Sequence, residues 1–269
     1  MRVTGIGWAG ATSDNYQASR DFLSEKLGLA LEFEANKSVV AHFRPPSGQL
    51  LELYGPSTQY REHEKFDWFD GHALAFDVDN LETAHQEMLD RGVHFIHEIE
   101  TWKDEAWCMF LGPENQLLQI QTGGSQSPEA TDKGAKLLGF SWAGVVMHDF
   151  EGAIRFFSQV MEMPLARQED GKESAQFWLA DGHLYEVFGP KHSWSQLMEH
   201  LTIGFQVEDV QQVRAALEKA GVEFVAEAET SSYGHEFAFF RDLDTYLYAL
   251  WKPGKSGQRP WGVRPIFTT

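Results

Sequence analysis

Thiol chemistry is almost missing from this chain. Cys108 is its one cysteine, which excludes an intrachain disulfide and a paired-cysteine zinc site and fits a reducing, cytoplasmic setting. Cys108 lies in the apolar stretch Ala106-Trp107-Cys108-Met109-Phe110, which reads as inert core rather than as a nucleophile. No apolar run reaches the length that spans a bilayer, and Met1-Arg2-Val3-Thr4-Gly5 lacks the apolar stretch of a secretion signal. Basic residues are scarce, 22 against 40 acidic ones, for a formal charge of −18. That charge opposes nucleic acid and anionic membrane as partners and steers cationic ligands inward, and it also keeps a chain in solution. Glycine-rich phosphate loops, a Gly-x-Ser-x-Gly elbow and a His-Glu-x-x-His helix are all missing.

What the chain has is repetition. Trp8-Ala9-Gly10 recurs as Trp142-Ala143-Gly144, and Leu50-Leu51-Glu52-Leu53-Tyr54-Gly55-Pro56 recurs at the same spacing as Leu184-Tyr185-Glu186-Val187-Phe188-Gly189-Pro190. Beyond the Gly-Pro turns the spacing shortens, pairing Phe76 with Phe205 and Gly92-Val93 with Gly221-Val222. Such persistence marks a duplication. The small, polar run from Gly123 to Gly134 has linker composition. The expected division is an N-terminal domain over 1–123, a linker over 124–136, a C-terminal domain over 137–252 and a tail over 253–269. Trp261 and Phe267 fit either a docked or a frayed tail.

Each half divides again. Near Ile6 to Ala11 a strand leads to a cap at Asp14 and a helix carrying Ala18, Phe22 and Leu27, stopped by Gly28. Strands follow at Leu31 to Glu34, Ser38 to Arg44 and Gln49 to Tyr54. The order returns with a strand at His72 to Val78, a cap at Asp79-Asn80, a helix carrying Leu81, Ala84, His85, Met88 and Leu89, and a stop at Gly92. Strands at Phe95 to Glu98, Ala106 to Leu111 and Leu117 to Gln121 complete that unit. The second half repeats the pattern, with His148-Asp149 capping its first helix. The fold class is α+β, in four βαβββ modules.

That order, with the Gly-Gln/His-Leu-Leu/Tyr-Glu strand and the His-Ala-Leu-Ala-Phe-Asp-Val-Asp strand, resembles the vicinal oxygen chelate superfamily of glyoxalases, bleomycin-resistance proteins and extradiol dioxygenases over residues 3 to 252. The resemblance implies paired modules, each pair curling an eight-stranded sheet around a cavity, with inward positions on the first and last strand of each module. In the first module these read Gly7 and Glu52, and in the second His72 and Gln119. If the first half folds as one unit, Glu52, His72 and Gln119 converge. If the second module pairs with the third instead, His72, Gln119 and Glu186 do. Either set offers imidazole, carboxylate and amide oxygen to one divalent ion, zinc, nickel, iron or manganese. The ordinary alternatives stand beside this. His72 bonds a loop carbonyl just as readily, and the two-residue period allows Glu52 to face outward. In the second half Trp142, Leu201 and Ala249 stand where the resemblance implies iron ligands, with His200 one residue out of register, which disfavours extradiol ring cleavage.

Aromatic residues replace the missing ligands. Trp142, Trp178, Tyr185 and Tyr248, with Phe205, Phe237, Phe239 and Tyr246, fall on strands of the second half, where they either pack as core or sandwich a planar or cationic guest. His200, Tyr233 and His235 are the polar candidates for such a ligand site. Two functions follow. The first is a monomeric or homodimeric protein that encloses a small aromatic or cationic organic molecule without chemistry. The second is a divalent-metal-dependent lyase or isomerase of the glyoxalase type, acting on a carbonyl or vicinal-oxygen substrate, with Glu52 or Glu186 as the catalytic carboxylate. The loss of ligands in the second half ranks binding first.

Overall fold

The computed structural model describes residues 3–34, 40–56, 71–122, 137–168, 171–192, 198–231 and 234–254. Four modules follow one another. The first comprises β1 (Val3–Thr12), α1 (Tyr16–Asp21, continued as a π-helical turn Phe22–Lys26), β2 (Leu31–Glu34), β3 (Val40–Phe43) and β4 (Leu50–Tyr54). The second has β5 (His72–Val78), α2 (Leu81–Asp90), β6 (Glu100–Trp102), β7 (Glu105–Leu111) and β8 (Leu117–Thr122). The third has β9 (Leu137–Val146), α3 (Phe150–Arg155, continued as a π turn Phe156–Val160), β10 (Leu165–Gln168), β11 (Ser174–Trp178) and β12 (Leu184–Phe188). The fourth has β13 (Leu201–Val207), α4 (Val210–Lys219), β14 (Glu229–Thr230), β15 (Glu236–Arg241) and β16 (Leu247–Lys252).

Local chemistry sets these boundaries. Asn15, Asn80, Asp149 and Asp209 each accept a hydrogen bond from the backbone N–H three residues on, which satisfies a donor the helix start leaves free. The first cap is therefore Asn15 rather than Asp14. The expected strand at Phe95 to Glu98 is an isolated bridge between Phe95 and Phe110. Phe95 turns its ring onto Phe110, 5.5 Å between centroids, and the edge strand starts only at Glu100. The expected linker, Trp261, Phe267 and Tyr233 lie outside the described residues.

The modules pair across the duplication. One eight-stranded sheet runs β14-β15-β16-β13-β1-β4-β3-β2 and the other β10-β11-β12-β9-β5-β8-β7-β6. The first module thus joins the fourth through antiparallel β1 and β13, and the second joins the third through antiparallel β5 and β9. Both sheets curl into half-barrels and turn their convex faces and helices into one continuous apolar core. There Phe76 meets Phe140 at 5.4 Å and Tyr185 meets Phe205, from the other sheet, at 5.1 Å. Burying each such ring contributes about 1.5–3 kcal/mol. Gln49 locks the sheets together: its Nε2 donates to the carbonyls of Ile6 (2.6 Å) and Phe140 (2.9 Å), and its Oε1 accepts from the Phe140 N–H. Two smaller apolar clusters, one around Trp8 and one around Trp142, line the opposite, concave faces.

Candidate functional site

The repeated Trp-Ala-Gly acquires a physical meaning on these concave faces. Ala9 and Ala143 point into the shared core, fully buried, so the flanking residues face the other way. In parallel register Gly10 stands beside Glu52 and Gly144 beside Glu186. In each copy the tryptophan two residues earlier reaches the carboxylate, and Trp142 lays its indole over Gly144. Trp8 Nε1 donates to Glu52 Oε2 at 2.6 Å, and Trp142 Nε1 to Glu186 Oε2 at 3.0 Å. A Cβ on Gly144 would come within 2.6 Å of the Trp142 ring and 2.9 Å of Phe188. Only glycine clears that path.

In the first half-barrel, formed by the first and fourth modules, Glu52 also accepts from Tyr54 Oη at 2.6 Å on Oε2 and pairs with His42 Nε2 at 2.9 Å on Oε1. Burial alone would push its pKa up. The His42 charge and the hydrogen bonds from His42, Tyr54 and Trp8 outweigh it and bring the pKa down to about 2. Such a carboxylate is ionised at neutral pH and is a poor proton acceptor. Rings wall it in: Phe239 meets Trp8 edge-on at 5.9 Å, Phe237 lies 5.6 Å from Phe239, and His235 lies 5.2 Å from Trp251. His235 accepts the Gly254 N–H at Nδ1, and burial lowers its pKa.

The second half-barrel, from the second and third modules, repeats the clamp with neutral partners. Glu186 accepts from Ser174 Oγ at 2.6 Å and Gln176 Nε2 at 3.1 Å besides Trp142. Across the same concavity Gln119 Nε2 donates to Gln121 Oε1 at 2.6 Å. Gln121 Nε2 in turn donates to Ser141 Oγ at 2.9 Å and Asp77 Oδ1 at 3.4 Å. Burial raises the Asp77 pKa against the pull of those hydrogen bonds. At the rim Arg167, on edge strand β10, stacks its guanidinium 4.2 Å from the Trp102 ring on the opposite edge strand β6, and Lys103 Nζ lies 4.0 Å from the same ring. This contact draws the two edges together.

The expected metal sets do not assemble. Glu52 is in the first sheet, whereas His72 and Gln119 are in the second. The alternative set, His72, Gln119 and Glu186, shares the second sheet but not one face. Leu74, Phe76 and Val78 enter the shared core while Ala73 and Ala75 line the concavity, so His72 points to the core by alternation. Its ring packs edge-on against Tyr248 at 4.7 Å. Among the described residues no three His, Cys, Asp or Glu are grouped to hold a metal ion. The two clamped carboxylates fit a metal poorly, because an indole N–H can only donate and aims its hydrogen where an ion would bind.

The remaining candidates divide the same way. Trp142 and His235 belong to concave faces, and Trp178 stands 44% exposed at the end of β11. Tyr185 and Tyr248 are fully buried in the shared core, their hydroxyls 3.0 Å apart, because their strands present those positions to the convex side. His200 precedes β13 in left-handed backbone (φ 62°), with its Nδ1 3.4 Å from the Thr12 hydroxyl. Leu201 faces the core, and Ala249 lines the first concavity. Cys108 is buried, and burial pushes its thiol pKa up to about 12. His42, Tyr54, Ser174 and Gln176 were missed. The spacing that relates Trp8 to Trp142 also relates His42 to Gln176, and each stands directly opposite its glutamate.

The described residues contain no helix long and apolar enough to cross a membrane. A comparison with curated proteins gives no match. Among solved structures, the chain is similar to a candidate dioxygenase from Bacillus subtilis, with TM-score 0.70 and 13% identity over 94% of this chain and 86% of that one. It is also similar to glyoxalase I from Zea mays, with TM-score 0.65 and 16% identity over 92% of each chain. At such identities the likeness concerns the fold. The family model for the Glyoxalase/Bleomycin resistance protein/Dioxygenase superfamily matches residues 5–120 and 139–250, one match for each copy of the duplication. With most of its length matched in this way, the chain belongs to that superfamily.

Proposed function

We propose that this protein encloses a small aromatic or cationic organic molecule in its first half-barrel and does so without a metal ion. One observation carries the reading: each inward glutamate is taken up by three donors from its own sheet, Trp8, Tyr54 and His42 on Glu52 and Trp142, Ser174 and Gln176 on Glu186. A carboxylate so engaged supports the wall of a pocket and is unsuited to ligating an ion or moving a proton. The rings of Trp8, Phe237, Phe239 and Trp251 around an ionised Glu52 suit an organic cation, by the attraction of a cation to aromatic faces. The net charge of −18 favours approach of such a ligand.

Calorimetric titration with phenyltrimethylammonium tests the proposal. The expected result is saturable binding, unchanged by EDTA and weakened about tenfold or more by Trp251→Ala. Absence of saturable binding, or binding that EDTA abolishes and added divalent metal restores, would overturn it.

A further inference from the structure

The second half-barrel differs from the first in a way that names a ligand of its own. Its concave face carries four tryptophans. Trp178, Leu184, Trp142, Ala75, Gln119 and Met109 form one register row across six strands. Trp107 stands in the row with Gln121 and Asp77, and Trp102 closes the rim under Arg167. Trp102 and Trp178 are also among the few large apolar side chains left exposed, at 37% and 44%. Exposed tryptophans flanking a concave, partly polar face mark a stacking surface.

The polar groups on this face are oriented by what lies behind them. Asp77 and Ser141 take the amide N–H groups of Gln121, so Gln121 turns its oxygen to Gln119, and Gln119 must present its N–H group there. Its own Oε1 is left over. On the other wing Glu186 takes the amide N–H of Gln176 and leaves that Oε1 over as well. Neither oxygen has a hydrogen-bond partner among the described residues. Gln119 is only 6% exposed. Two carboxylates thus aim two carbonyl oxygens into a tryptophan-lined concavity.

We infer that the second half-barrel is a separate binding site for a planar, uncharged aromatic compound bearing several N–H donors. Planarity follows from the stacking faces of Trp142 and Trp178, and the donors from the two glutamine oxygens. The absence of charge follows from the two ends of the site. A cation would meet Arg167 and Lys103 at the mouth, and an anion would meet Asp77, Glu186 and the carbonyl oxygens within. The site is independent of the first half-barrel, whose aromatic wall surrounds an ionised carboxylate.

Calorimetry with 2,6-diaminopurine against unsubstituted purine tests the inference, since both rings stack and only the first carries amino donors. Diaminopurine is expected to bind saturably and purine about tenfold or more weaker. Gln119→Met and Gln176→Met should each weaken diaminopurine about tenfold and leave purine unchanged. Trp178→Ala, at an exposed position that the fold does not need, should weaken both rings. The inference is overturned if diaminopurine shows no saturable binding, if purine binds equally well, or if Trp178→Ala and Gln119→Met both leave diaminopurine binding unchanged.

Discussion

Glu52→Gln is the perturbation whose size the structure fixes most closely. The glutamate is nearly buried and holds three donors, and its pKa falls from the ordinary 4.5 to about 2. At about 1.36 kcal/mol per pH unit, that difference corresponds to about 3 kcal/mol of folding free energy. A carboxylate depressed on folding gives its full contribution above its unfolded pKa, near 4.5, and loses it as pH falls toward about 2. Glutamine keeps the shape but turns one oxygen into a donor, which then faces His42 Nε2 or the Trp8 and Tyr54 donors on Oε2. Urea unfolding at pH 7 should therefore show Glu52→Gln less stable by about 2–4 kcal/mol. The gap between variant and parent should narrow steadily as pH drops from 5 to 2.5. A variant within about 0.5 kcal/mol of the parent at pH 7, or a gap independent of pH, would refute the clamp as a stabilising unit.

Three further outcomes follow from the same geometry. Gly144→Val should displace the Trp142 indole and cost about 1–3 kcal/mol in unfolding measurements, with the Trp142 indole N–H resonance moving away from its hydrogen-bonded position. An unshifted Trp142 indole N–H resonance would contradict the overlay. Gln49→Ala should cost about 2–3 kcal/mol by urea titration, because it strips partners from the Ile6 and Phe140 backbone groups between the sheets. Burial raises Asp242 to about 7 against the hydrogen bonds from Tyr248 and the N–H groups of Tyr246 and Asp244, with the Asp244 charge adding to the rise. A carboxyl raised on folding contributes stability that is complete below pH 4 and lost as pH rises through about 7. Asp242→Asn keeps the Oδ1 acceptor for Asp244 and Tyr246 and should remove that decline, visible as a flatter plot of thermal midpoint between pH 4 and 8. An unchanged slope would refute the assignment.

The repeat, the glycine stops and the Asn and Asp caps are local signals, and four modules could be read from them directly. Pairing could not. β5 lies antiparallel to β9 through contacts between apolar strands of similar composition, and periodicity carries no mark of which partner a strand takes. The face of His72 was hidden for a related reason. Its strand is buried on both sides, from Ala73 and Ala75 on one to Leu74 and Phe76 on the other, so alternation of polarity gives no direction. Gly7, read as the inward position of the first strand, does face Trp251 in the first concavity, and the register shift of β1 against β13 between Ile6 and Trp8 brings Trp8 to the same face. The donors around Glu52 and Glu186 were visible only by carrying the repeat spacing to His42 and Gln176, whose own strands are too short to show a pattern.

Metal content tests the central claim most directly, because the account rests on indole, hydroxyl, amide and imidazole donors occupying both glutamates. Elemental analysis of protein purified without chelator should find zinc, nickel, iron and manganese far below one ion per chain, and calorimetric titration with Mn²⁺ or Zn²⁺ should show no saturable site. One ion per chain that Glu52→Gln or Glu186→Gln removes would contradict the account, since the clamping donors would then have yielded the carboxylate to a metal.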